Sequence, residues 1–299
     1  MNTDSKDICI VTVCDNHFTV MLAVLIKSIE INHLSNGIIH IHIVDDGIHA
    51  TNKLKIVNSI DQKNIKITWL PIKEVIPKGV ALPLDASSFP LNVYVRLFIP
   101  YFVPKTYSRA IYLDVDMVVK KDISLLWNTA INGKIIAGVV DRLNIVGGAW
   151  GGITNYLELG LAPDTKYFNS GLLIMDLEKW RKTELSLEIL ACISKHQQFA
   201  NFPDQYGLNV IFANQWFELD QRWNTYATSN EENPYIIHFI GRKPIYSSYE
   251  NNEDYKNEFF HYLNLTKWAD FKQKKEYNRL FFKLLNRSQK SIKKLFRII

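Results

Sequence analysis

The sequence predicts an α/β fold with a parallel, doubly wound sheet. Strand-like and helix-like segments alternate from the start: "ICIVTVCDNHF" is a β-branched run closed by a polar turn, and "VMLAVLIKSIEIN" has the spacing of a buried helix. "IIHIHIVDDG" and "NIKITWLPI" are the next strands, with the helix "ATNKLKIVNSI" between them. This order predicts parallel strands whose ligand sites lie at their carboxyl ends.

The composition is that of a globular protein. The chain has 299 residues, of which 47% are hydrophobic and 22% charged, and this excludes the signature of disorder. No stretch approaches the roughly 20 apolar residues of a membrane span, and "MNTDSKDICIVTV" lacks the basic start of a secretory signal, so we expect a cytosolic protein. Cys9, Cys14 and Cys192 lack metal-site spacing, which favours reduced structural thiols.

The positive charge is concentrated at the C-terminus. The net charge is +5, yet residues 272–299 hold ten Lys or Arg against one Glu, a net +9. The rest of the chain holds 25 basic and 29 acidic residues, a net −4. A general nucleic-acid surface is therefore not expected, and the basic character belongs to the C-terminal tail, residues 272–299.

The middle of the chain predicts two further features. "PKGVALPLDASSFP", residues 77–90, reads as a loop, and "LNVYVRLFIPYFVP" after it as a helix that ends at Pro100. No repeat or linker is evident before about residue 245. We therefore expect one domain over residues 1–245 and a helical C-terminal region over residues 246–299.

Two aspartates follow an apolar run in "AIYLDVDMVV". If the strand continues through them, Asp114 and Asp116 point to the same face, because side chains alternate along a strand. Two neighbouring carboxylates repel each other unless a positive charge lies between them, and a divalent cation is the usual solution. The alternative is that both aspartates cap a turn or a helix, and the motif alone does not decide between these readings.

Polar residues at other strand and helix ends extend this site. Asp15 and Asn16 follow the first strand, where a doubly wound sheet places nucleotide-binding groups, although a simple turn also favours them. Arg96 lies in an otherwise apolar segment and needs a carboxylate or phosphate partner. A structural ion pair is the alternative for this arginine.

His238 lies on the strand-like run "YIIHFIG". A histidine in such a run is either a core residue or, near two aspartates, a third metal ligand. Gly241, Arg242 and Lys243 follow it and could approach a diphosphate closely.

Six segments together resemble a known family. "IVTVCDNHF", "YVRLFIP", "RAIYLDVDMVVKKDISLLW", "YFNSGLLIMDLEKWR", "PDQYGLN" and "IIHFIGRKP" occur in the order and approximate spacing of the family 8 retaining glycosyltransferases. The chain most resembles the bacterial lipopolysaccharide and lipooligosaccharide galactosyltransferases, over residues 8–245. The resemblance implies a GT-A fold, a Rossmann-like, mostly parallel sheet with flanking helices, here followed by a basic amphipathic helical tail.

The resemblance also implies the site. Asp114, Asp116 and His238 would bind Mn²⁺, or Mg²⁺, against the phosphates of a UDP-sugar, and Asp141 would lie near the acceptor. The residues implied in donor binding are Asp15, His17, Phe18, Arg96, Asp114, Val115, Asp116, Asn169, Ser170, Gly171, Gly241 and Lys243. Two departures stand out: His17 replaces the usual Asn, and a shorter spacing after Gly241 makes Arg242 a competitor to Lys243.

The implied reaction is retaining transfer of a hexose, galactose or else glucose, to a cell-surface glycan such as lipooligosaccharide. Gln205, a poor nucleophile, stands where a retaining glycosidase has a carboxylate, so the resemblance favours front-face attack. Asp204 would bind sugar hydroxyls, with a transient nucleophile as the alternative role.

Two other functions remain open on the sequence. "YLDVDMV" also fits the DxDx[TV] motif of haloacid dehalogenase-like phosphatases, although that fold carries the motif on its first strand and some 110 residues precede it here. A catalytically inactive nucleotide-sugar-binding protein is the non-enzymatic alternative, against which the presence of all three metal ligands argues.

The tail sequence "LFFKLLNRSQKSIKKLFRII" is amphipathic at helical spacing. Its apolar residues cover about half of the helix circumference and its Lys and Arg residues the other half. An ordinary packed terminal helix explains the apolar face but not the concentrated charge. We therefore expect peripheral attachment to the anionic, cytoplasmic face of the inner membrane, close to a lipid-linked acceptor.

Overall fold

The computed structural model describes residues 7–83, 90–148 and 152–275, and beyond them Tyr277, Leu280, Phe281, Leu284 and Ser288. The chain forms two compact units. Unit 1 comprises Met1–Ile72, Ala110–Ala130 and Asp220–Arg279, and unit 2 comprises Lys73–Arg109, Ile131–Leu219 and Leu280–Ile299. The predicted division at residue 245 stays a prediction.

Strands and helices alternate along the described chain. The strands are β1 (Ile8–Asp15), β2 (Ile39–Asp46), β3 (Ile65–Pro71), β4 (Arg109–Leu113), β5 (Met117–Val119), β6 (Ile136–Ile145), β7 (Lys166–Asp176), β8 (Phe217–Glu218), β9 (Thr225–Tyr226) and β10 (Ile236–His238). The α-helices are α1 (Thr19–Asn32), α2 (Ala50–Val57), α3 (Ile72–Val75), α4 (Ile99–Phe102), α5 (Ile123–Trp127), α6 (Leu177–Trp180), α7 (Leu185–Lys195), α8 (Pro203–Ile211) and α9 (Glu253–Asn264). Short 3-10 helices cover Asn16–Phe18, Leu91–Phe98 and Gln221–Asn224.

Unit 1 contains the predicted parallel strands, in the order β3-β2-β1-β4. Their side chains are apolar because both faces of a parallel sheet are covered. Helix α1 is buried along almost its whole length, which explains why its sequence is apolar on all sides rather than on one stripe. The carboxyl ends of β1 and β2 are Asp15 and Asp46, so polar residues meet at one edge of these strands.

A second, three-stranded sheet in unit 1 has the order β5-β10-β9. Strand β10 is antiparallel to β5 and parallel to β9. Strand β5 follows the DxD aspartates directly, and β10 ends at His238. The pairing of β5 with β10 therefore positions the histidine next to the aspartates.

Unit 2 departs from a purely parallel arrangement. Strand β6 pairs antiparallel with β7 and parallel with β8. The prediction of a parallel sheet holds for the strands β3-β2-β1-β4, whereas β5 with β10 and β6 with β7 are antiparallel pairs. The fold is thus the expected mixed α/β type with a mostly parallel sheet and flanking helices.

The segment around Pro100 also differs from its prediction. We expected one helix ending at Pro100; instead the 3-10 helix Leu91–Phe98 is followed by α4, which continues to Phe102. Pro100 lies in the first turn of α4. Proline is tolerated there because its missing N–H would have no intrahelical partner in any case.

Two predicted features lie partly outside the described residues. In the loop over residues 77–90 the described part contains no strand, and residues 84–89 are outside the description. Of the tail beyond Lys275, the described residues are helical, and all its Lys and Arg residues lie outside the description. Among the described residues, no helix has both the length and the apolar character that a membrane crossing requires.

The cysteines are free thiols, as expected. Cys9 and Cys14 are buried and Cys192 is half-buried. Burial raises the pKa of both Cys14 and Cys192, which makes these thiols unreactive.

Gly207 on α8 is a close-packing position against α7. A Cβ at this position would lie 2.7 Å from atoms of both Ile189 and Ile193. We predict that Gly207→Ala lowers the free energy of unfolding by about 1–2 kcal/mol, because overpacking outweighs the gain in helix propensity. Urea denaturation followed by circular dichroism measures this change.

The double variant Gly207→Ala/Ile193→Val tests the cause. Removing one methyl group relieves part of the clash, so the double variant should lose less stability than the sum of the two single variants. Strictly additive losses would contradict close packing as the reason for this glycine.

Candidate functional site

The DxD aspartates lie in a turn rather than on a strand. Strand β4 ends at Leu113, and Asp114 and Asp116 belong to the connection to β5. The alternation argument for their shared direction is therefore wrong, but the two carboxylates still converge. The register of β10 against β5 pairs His238 with Met117, and the N–H of Phe239 donates to the carbonyl of Asp116 at 2.9 Å.

These contacts assemble a group of potential metal ligands. One oxygen each from Asp114 and Asp116 and one ring nitrogen of His238 lie within 4.8 Å of one another. Asp116 and His238 are buried, whereas Asp114 is partly exposed. The metal-ligand set implied by the sequence is thus brought together.

The orientation of the His238 ring is fixed by Asn224. The Nδ1 atom of His238 lies 2.8 Å from Oδ1 of Asn224, an acceptor, so Nδ1 carries the proton. The lone pair of Nε2 is left for a ligand, and Nε2 lies 3.3 Å from Oδ1 of Asp116. Asn224 is 4% exposed and belongs to the 3-10 helix Gln221–Asn224. Sequence analysis missed this residue, since a single amide in a short irregular segment gives no local signal.

The charge of Asp116 is stabilised from two sides. Burial would raise the pKa of its carboxyl, but the ammonium of Lys243 and the ring of His238, when that ring is protonated, outweigh burial and hold that pKa well below its ordinary value. Lys243 bonds to both Asp116 and the carbonyl of Phe239. Asp114 accepts a hydrogen bond from the hydroxyl of Tyr112 at 2.7 Å. An ionised carboxylate of this kind is a good ligand for a cation.

The cluster fits a divalent metal. Two carboxylates and an imidazole with a free lone pair are ligands that Mn²⁺ accepts, and the carboxylates suit Mg²⁺. The second nitrogen of the histidine is held by a neighbouring amide, as it commonly is in metal sites. The observation that decides the fit is the Asn224 bond, because it selects the tautomer that a metal requires.

The loop after β10 distinguishes between Arg242 and Lys243. Gly241 has φ +71°, a left-handed conformation in which a side chain would be strained. Arg242 is directed to Ser248, whose carbonyl it bonds at 3.2 Å, and to Glu250. Lys243 lies at the metal-ligand cluster, so the geometry brings Lys243 rather than Arg242 to Asp116.

Asp15 organises the turn after β1. Its Oδ1 accepts hydrogen bonds from the N–H groups of His17, at 2.8 Å, and Phe18, at 3.0 Å, and so caps the 3-10 helix Asn16–Phe18. Burial raises the pKa of Asp15, against the effect of these two N–H groups. Asn16 has a structural role, since its Oδ1 accepts from the N–H of His49, ahead of α2.

His17 is enclosed by two residues that sequence analysis missed. Its Nε2 lies 2.6 Å from the hydroxyl of Tyr246, and its Nδ1 lies 3.2 Å from Nζ of Lys274. The ring packs edge-on against Phe18, with centroids 4.8 Å apart. Burial, together with the charge of Lys274, lowers the pKa of His17 to about 4, so the ring is neutral at physiological pH.

Arg96 in unit 2 has a carboxylate partner. Arg96 is 5% exposed, and its Nε lies 3.1 Å from Oδ2 of Asp204. It also donates to the backbone carbonyl and the hydroxyl of Ser170. The Ser170 hydroxyl in turn donates to Oδ2 of Asp204 at 2.8 Å. The ion pair considered as an alternative for Arg96 exists, and it links two of the residues implied in donor binding.

Gln205 is held by the same network. Its Oε1 accepts from Nδ2 of Asn169 at 3.1 Å and from the N–H of Ser170 at 3.0 Å, and its Nε2 donates to Oδ2 of Asp141 at 3.2 Å. Asn169 also donates to Asp141, and its Oδ1 accepts from the N–H of Gly171. The amide of Gln205 is therefore fixed in orientation.

Asn209, one helical turn after Gln205, ties α8 to β7. Its side chain accepts from the N–H of Phe168 and donates to the carbonyl of the same residue, both at 2.8 Å. Sequence analysis missed this role, although an amide four residues after Gln205 on the same helix face was a signal that could have found it.

The residues implied by the resemblance thus form separate groups within each unit. In unit 1, Asp114, Asp116, His238 and Lys243 form one cluster and Asp15, His17 and Phe18 another. Val115 lies half-buried between the two aspartates, and Gly241 precedes Lys243 by two residues. In unit 2, one hydrogen-bonded network contains Arg96, Asp141, Asn169, Ser170, Gly171, Asp204 and Gln205.

Known proteins share this sequence and fold. The profile of glycosyl transferase family 8 matches residues 9–244. The chain is 29% identical over 280 residues to general stress protein A of Bacillus subtilis, and the aligned region covers 87% of this chain and 94% of that protein. It is 30% identical over 178 residues to lipopolysaccharide 1,2-glucosyltransferase of Escherichia coli, and the aligned region covers 60% of this chain and 50% of that protein.

Solved structures of glycosyltransferases have the same fold. The bifunctional glycosyltransferase WbbM superposes with a TM-score of 0.73 at 21% identity, over 88% of this chain and 50% of that one. The galactosyltransferase LgtC, solved in complex with donor and acceptor sugar analogs, gives a TM-score of 0.69 at 21% identity, over 87% and 96%. The fold is that of the GT-A glycosyltransferases, and the profile match shows that the chain belongs to glycosyl transferase family 8. Membership of this family favours a transferase over the phosphatase alternative.

The role of Asn224 gives a prediction about metal binding. We expect Asn224→Leu to weaken Mn²⁺ binding about 10- to 100-fold, because the His238 ring loses the acceptor that fixes its tautomer. Titration calorimetry of the purified protein with MnCl₂ measures the affinity. Asn224→Asp, which keeps an acceptor oxygen, is the control and should retain most of it. Equal affinities of the wild type and Asn224→Leu would contradict this role.

Proposed function

We propose that the protein is a retaining hexosyltransferase that moves a hexose, galactose in the first place and glucose otherwise, from a UDP-sugar to a cell-surface glycan such as lipooligosaccharide. The observation that carries this proposal is the cluster of Asp114, Asp116 and His238 beside Lys243 in a chain of glycosyl transferase family 8. Relatives include a lipopolysaccharide glucosyltransferase and a galactosyltransferase, which supports a hexose donor and a saccharide acceptor.

The nucleoside end of the donor would bind at the turn after β1. Oδ1 of Asp15 accepts two backbone N–H groups, so its other oxygen is the acceptor offered to the imide N–H of uracil. The ring of Phe18 would pack against the base, and the backbone around Val115 would contact the ribose. Because His17 is neutral, it adds no charge to this part of the site.

The diphosphate would bind at the metal-ligand cluster. Mn²⁺, or Mg²⁺, bound to Asp114, Asp116 and His238 would supply positive charge to stabilise the leaving diphosphate. Lys243 adds a positive charge of the chain itself, and Gly241 allows the backbone to approach the phosphates closely.

The network in unit 2 would bind the transferred sugar. Oδ2 of Asp204 is already bonded to Arg96 and Ser170, which weakens it as a nucleophile and suits it to orienting sugar hydroxyls. The amide of Gln205 is also a poor nucleophile and is locked by Asn169 and Asp141. These contacts support front-face attack by the acceptor hydroxyl, whose proton passes to the departing phosphate. Asp141 would orient the acceptor.

The first test concerns the metal-ligand cluster. We predict that Asp116→Asn and Asp114→Asn each lower the transfer rate about 100-fold or more, since the cluster loses an anionic ligand. The measurement is UDP released from UDP-galactose or UDP-glucose with MnCl₂ and a saccharide acceptor. Asp254→Asn, an exposed carboxylate on α9, is the control and should leave the rate unchanged.

Two outcomes would contradict this proposal. Near-native turnover of either site variant after EDTA treatment would remove the metal assignment. A β-linked product from the α-configured donor, seen by NMR, would remove the retaining mechanism.

We also propose that the tail binds the anionic, cytoplasmic face of the cell membrane, where a lipid-linked acceptor would be concentrated. The support is the net charge of +9 over residues 272–299 and the exposure of Tyr277, Leu280, Phe281 and Leu284. These four residues are helical and are 65%, 49%, 58% and 62% exposed, and both Tyr277 with Phe281 and Leu280 with Leu284 have the four-residue spacing of one helix face. An exposed apolar face among basic residues is typical of interfacial helices.

A truncation tests the tail. We predict that the full chain sediments with vesicles containing phosphatidylserine at low salt, whereas a chain ending at Lys275 stays in the supernatant and still transfers to a soluble acceptor. The cut must follow Lys275 because Gln273 and Lys274 contact the rest of unit 1. Leu280→Ser/Leu284→Ser keeps the charge and should bind more weakly. A full chain that ignores these vesicles would disprove the idea.

A further inference from the structure

We propose that Lys274 is a positioning residue of the donor site: through His17 it joins the turn after β1 to the loop after Lys243, and it thereby sets the geometry that binds the nucleoside. This inference rests on the proposed function, since it assigns a role within the same donor site. Lys274 lies 257 residues after His17 in the chain. Neither the DxD motif nor the family motifs in the sequence include it.

Lys274 makes two contacts with His17. Its Nζ donates to the backbone carbonyl and to Nδ1 of His17, both at 3.2 Å. An ammonium group has donors only, so Nδ1 must be the acceptor and the ring proton lies on Nε2. Nε2 then donates to the hydroxyl of Tyr246 at 2.6 Å. The lysine therefore selects one tautomer of His17 and holds both the ring and the backbone of the turn.

The same segment is bound to the loop that carries Tyr246. The N–H of Lys274 donates to the carbonyl of Ile245 at 2.8 Å, and the N–H of Ser247 donates to the carbonyl of Lys274 at 2.9 Å. The side chain of Gln273 donates to the carbonyls of Pro244 and Tyr246. This loop begins directly after Lys243, so Lys274 connects the nucleoside turn with the start of the diphosphate-binding loop.

The chemistry of a lysine at this position supports a role beyond packing. The side chain is half-buried, and burial lowers the pKa of Lys274 while Asp15 opposes that change. An apolar side chain would fill the space without this desolvation cost. What only the ammonium supplies is a donor to His17 and a positive charge near Asp15. That charge favours the ionised carboxylate, which is the form that accepts the uracil imide.

The experiment measures binding of UMP and UDP to the full chain by titration calorimetry in the presence of MnCl₂. We expect Lys274→Met to weaken both ligands about 10-fold, because the lost contacts act on the nucleoside that both ligands share. Lys243→Met is the comparison and should weaken UDP more than UMP. Lys272→Met and Lys275→Met remove the same charge from exposed positions of the same segment and should bind both ligands as the wild type does.

Two further variants separate positioning from stability. Lys274→Arg, which keeps the charge, should recover part of the affinity. Tyr246→Phe removes the acceptor of the His17 ring proton while keeping the side-chain volume, and it should also weaken UMP binding. If Lys274→Met fails to fold, Tyr246→Phe still tests the inference. A purely structural lysine would lower the melting temperature and leave the affinity of the folded protein for UMP unchanged.

The outcomes distinguish this inference from the proposed function. If folded Lys274→Met and Tyr246→Phe bind UMP within twofold of the wild type, the inference is wrong and the proposed function stands. If Lys272→Met and Lys275→Met lose as much affinity as Lys274→Met, net charge explains the effect and the inference is also wrong. If the wild type binds neither UMP nor UDP, the proposed function fails and this inference fails with it.

Discussion

Two carboxylates lie in one short turn of unit 1, and other groups of the unit must offset the repulsion between them. Asp114 and Asp116 repel each other, and burial of Asp116 increases the cost of its charge. The chain compensates with the ammonium of Lys243, from a distant position, beside Asp116 and with the hydroxyl of the neighbouring Tyr112 on Asp114. The antiparallel pairing of β5 with β10 brings His238 next to the two aspartates. Strands β5 and β10 have three residues each and are buried throughout, so their pairing contributes to the core as well as to the position of His238.

Unit 2 meets a different requirement, which is to present polar groups in fixed directions without leaving any of them unsatisfied. Arg96, Asp204 and Gln205 are each less than a tenth exposed, and each has hydrogen-bond partners within the network. Buried polar groups that share partners in this way constrain one another. The result is a buried set of amide and carboxylate groups whose directions are fixed by one another.

The sequence predicted most of the elements and the residues that meet in the potential metal-ligand cluster, but the reason given for their convergence was partly wrong. Alternation along a strand led to the right pair, Asp114 and Asp116, although the strand ends at Leu113. The antiparallel pairing of β6 with β7 was not foreseen, because buried strands of either direction are apolar and their sequences do not reveal direction. The predicted helix ended at Pro100, too early by two residues, because a proline in the first turn of a helix looks the same in sequence as one that ends it.

The residues that sequence analysis missed share one property. Asn224, Tyr246 and Lys274 are single polar residues in irregular segments, and each acts on a partner from another part of unit 1. No periodicity marks such residues, since their role depends on tertiary contacts alone. The family motifs gave the residues that would touch the donor, whereas the residues that hold them in place became visible only in the fold.

The bond pair between Asn209 and Phe168 has a consequence for the helix that carries Asp204 and Gln205. The Asn209 side chain bonds both the N–H and the carbonyl of Phe168, as the backbone of a neighbouring strand would do. These two bonds fix the position of α8 along β7. The helix cannot slide by a fraction of a turn without breaking both bonds. The backbone that carries Asp204 and Gln205, one turn earlier, is therefore held on β7 by contacts that their own side chains do not make. The directions in which these two side chains leave α8 are in this way set by the packing of the helix on the strand.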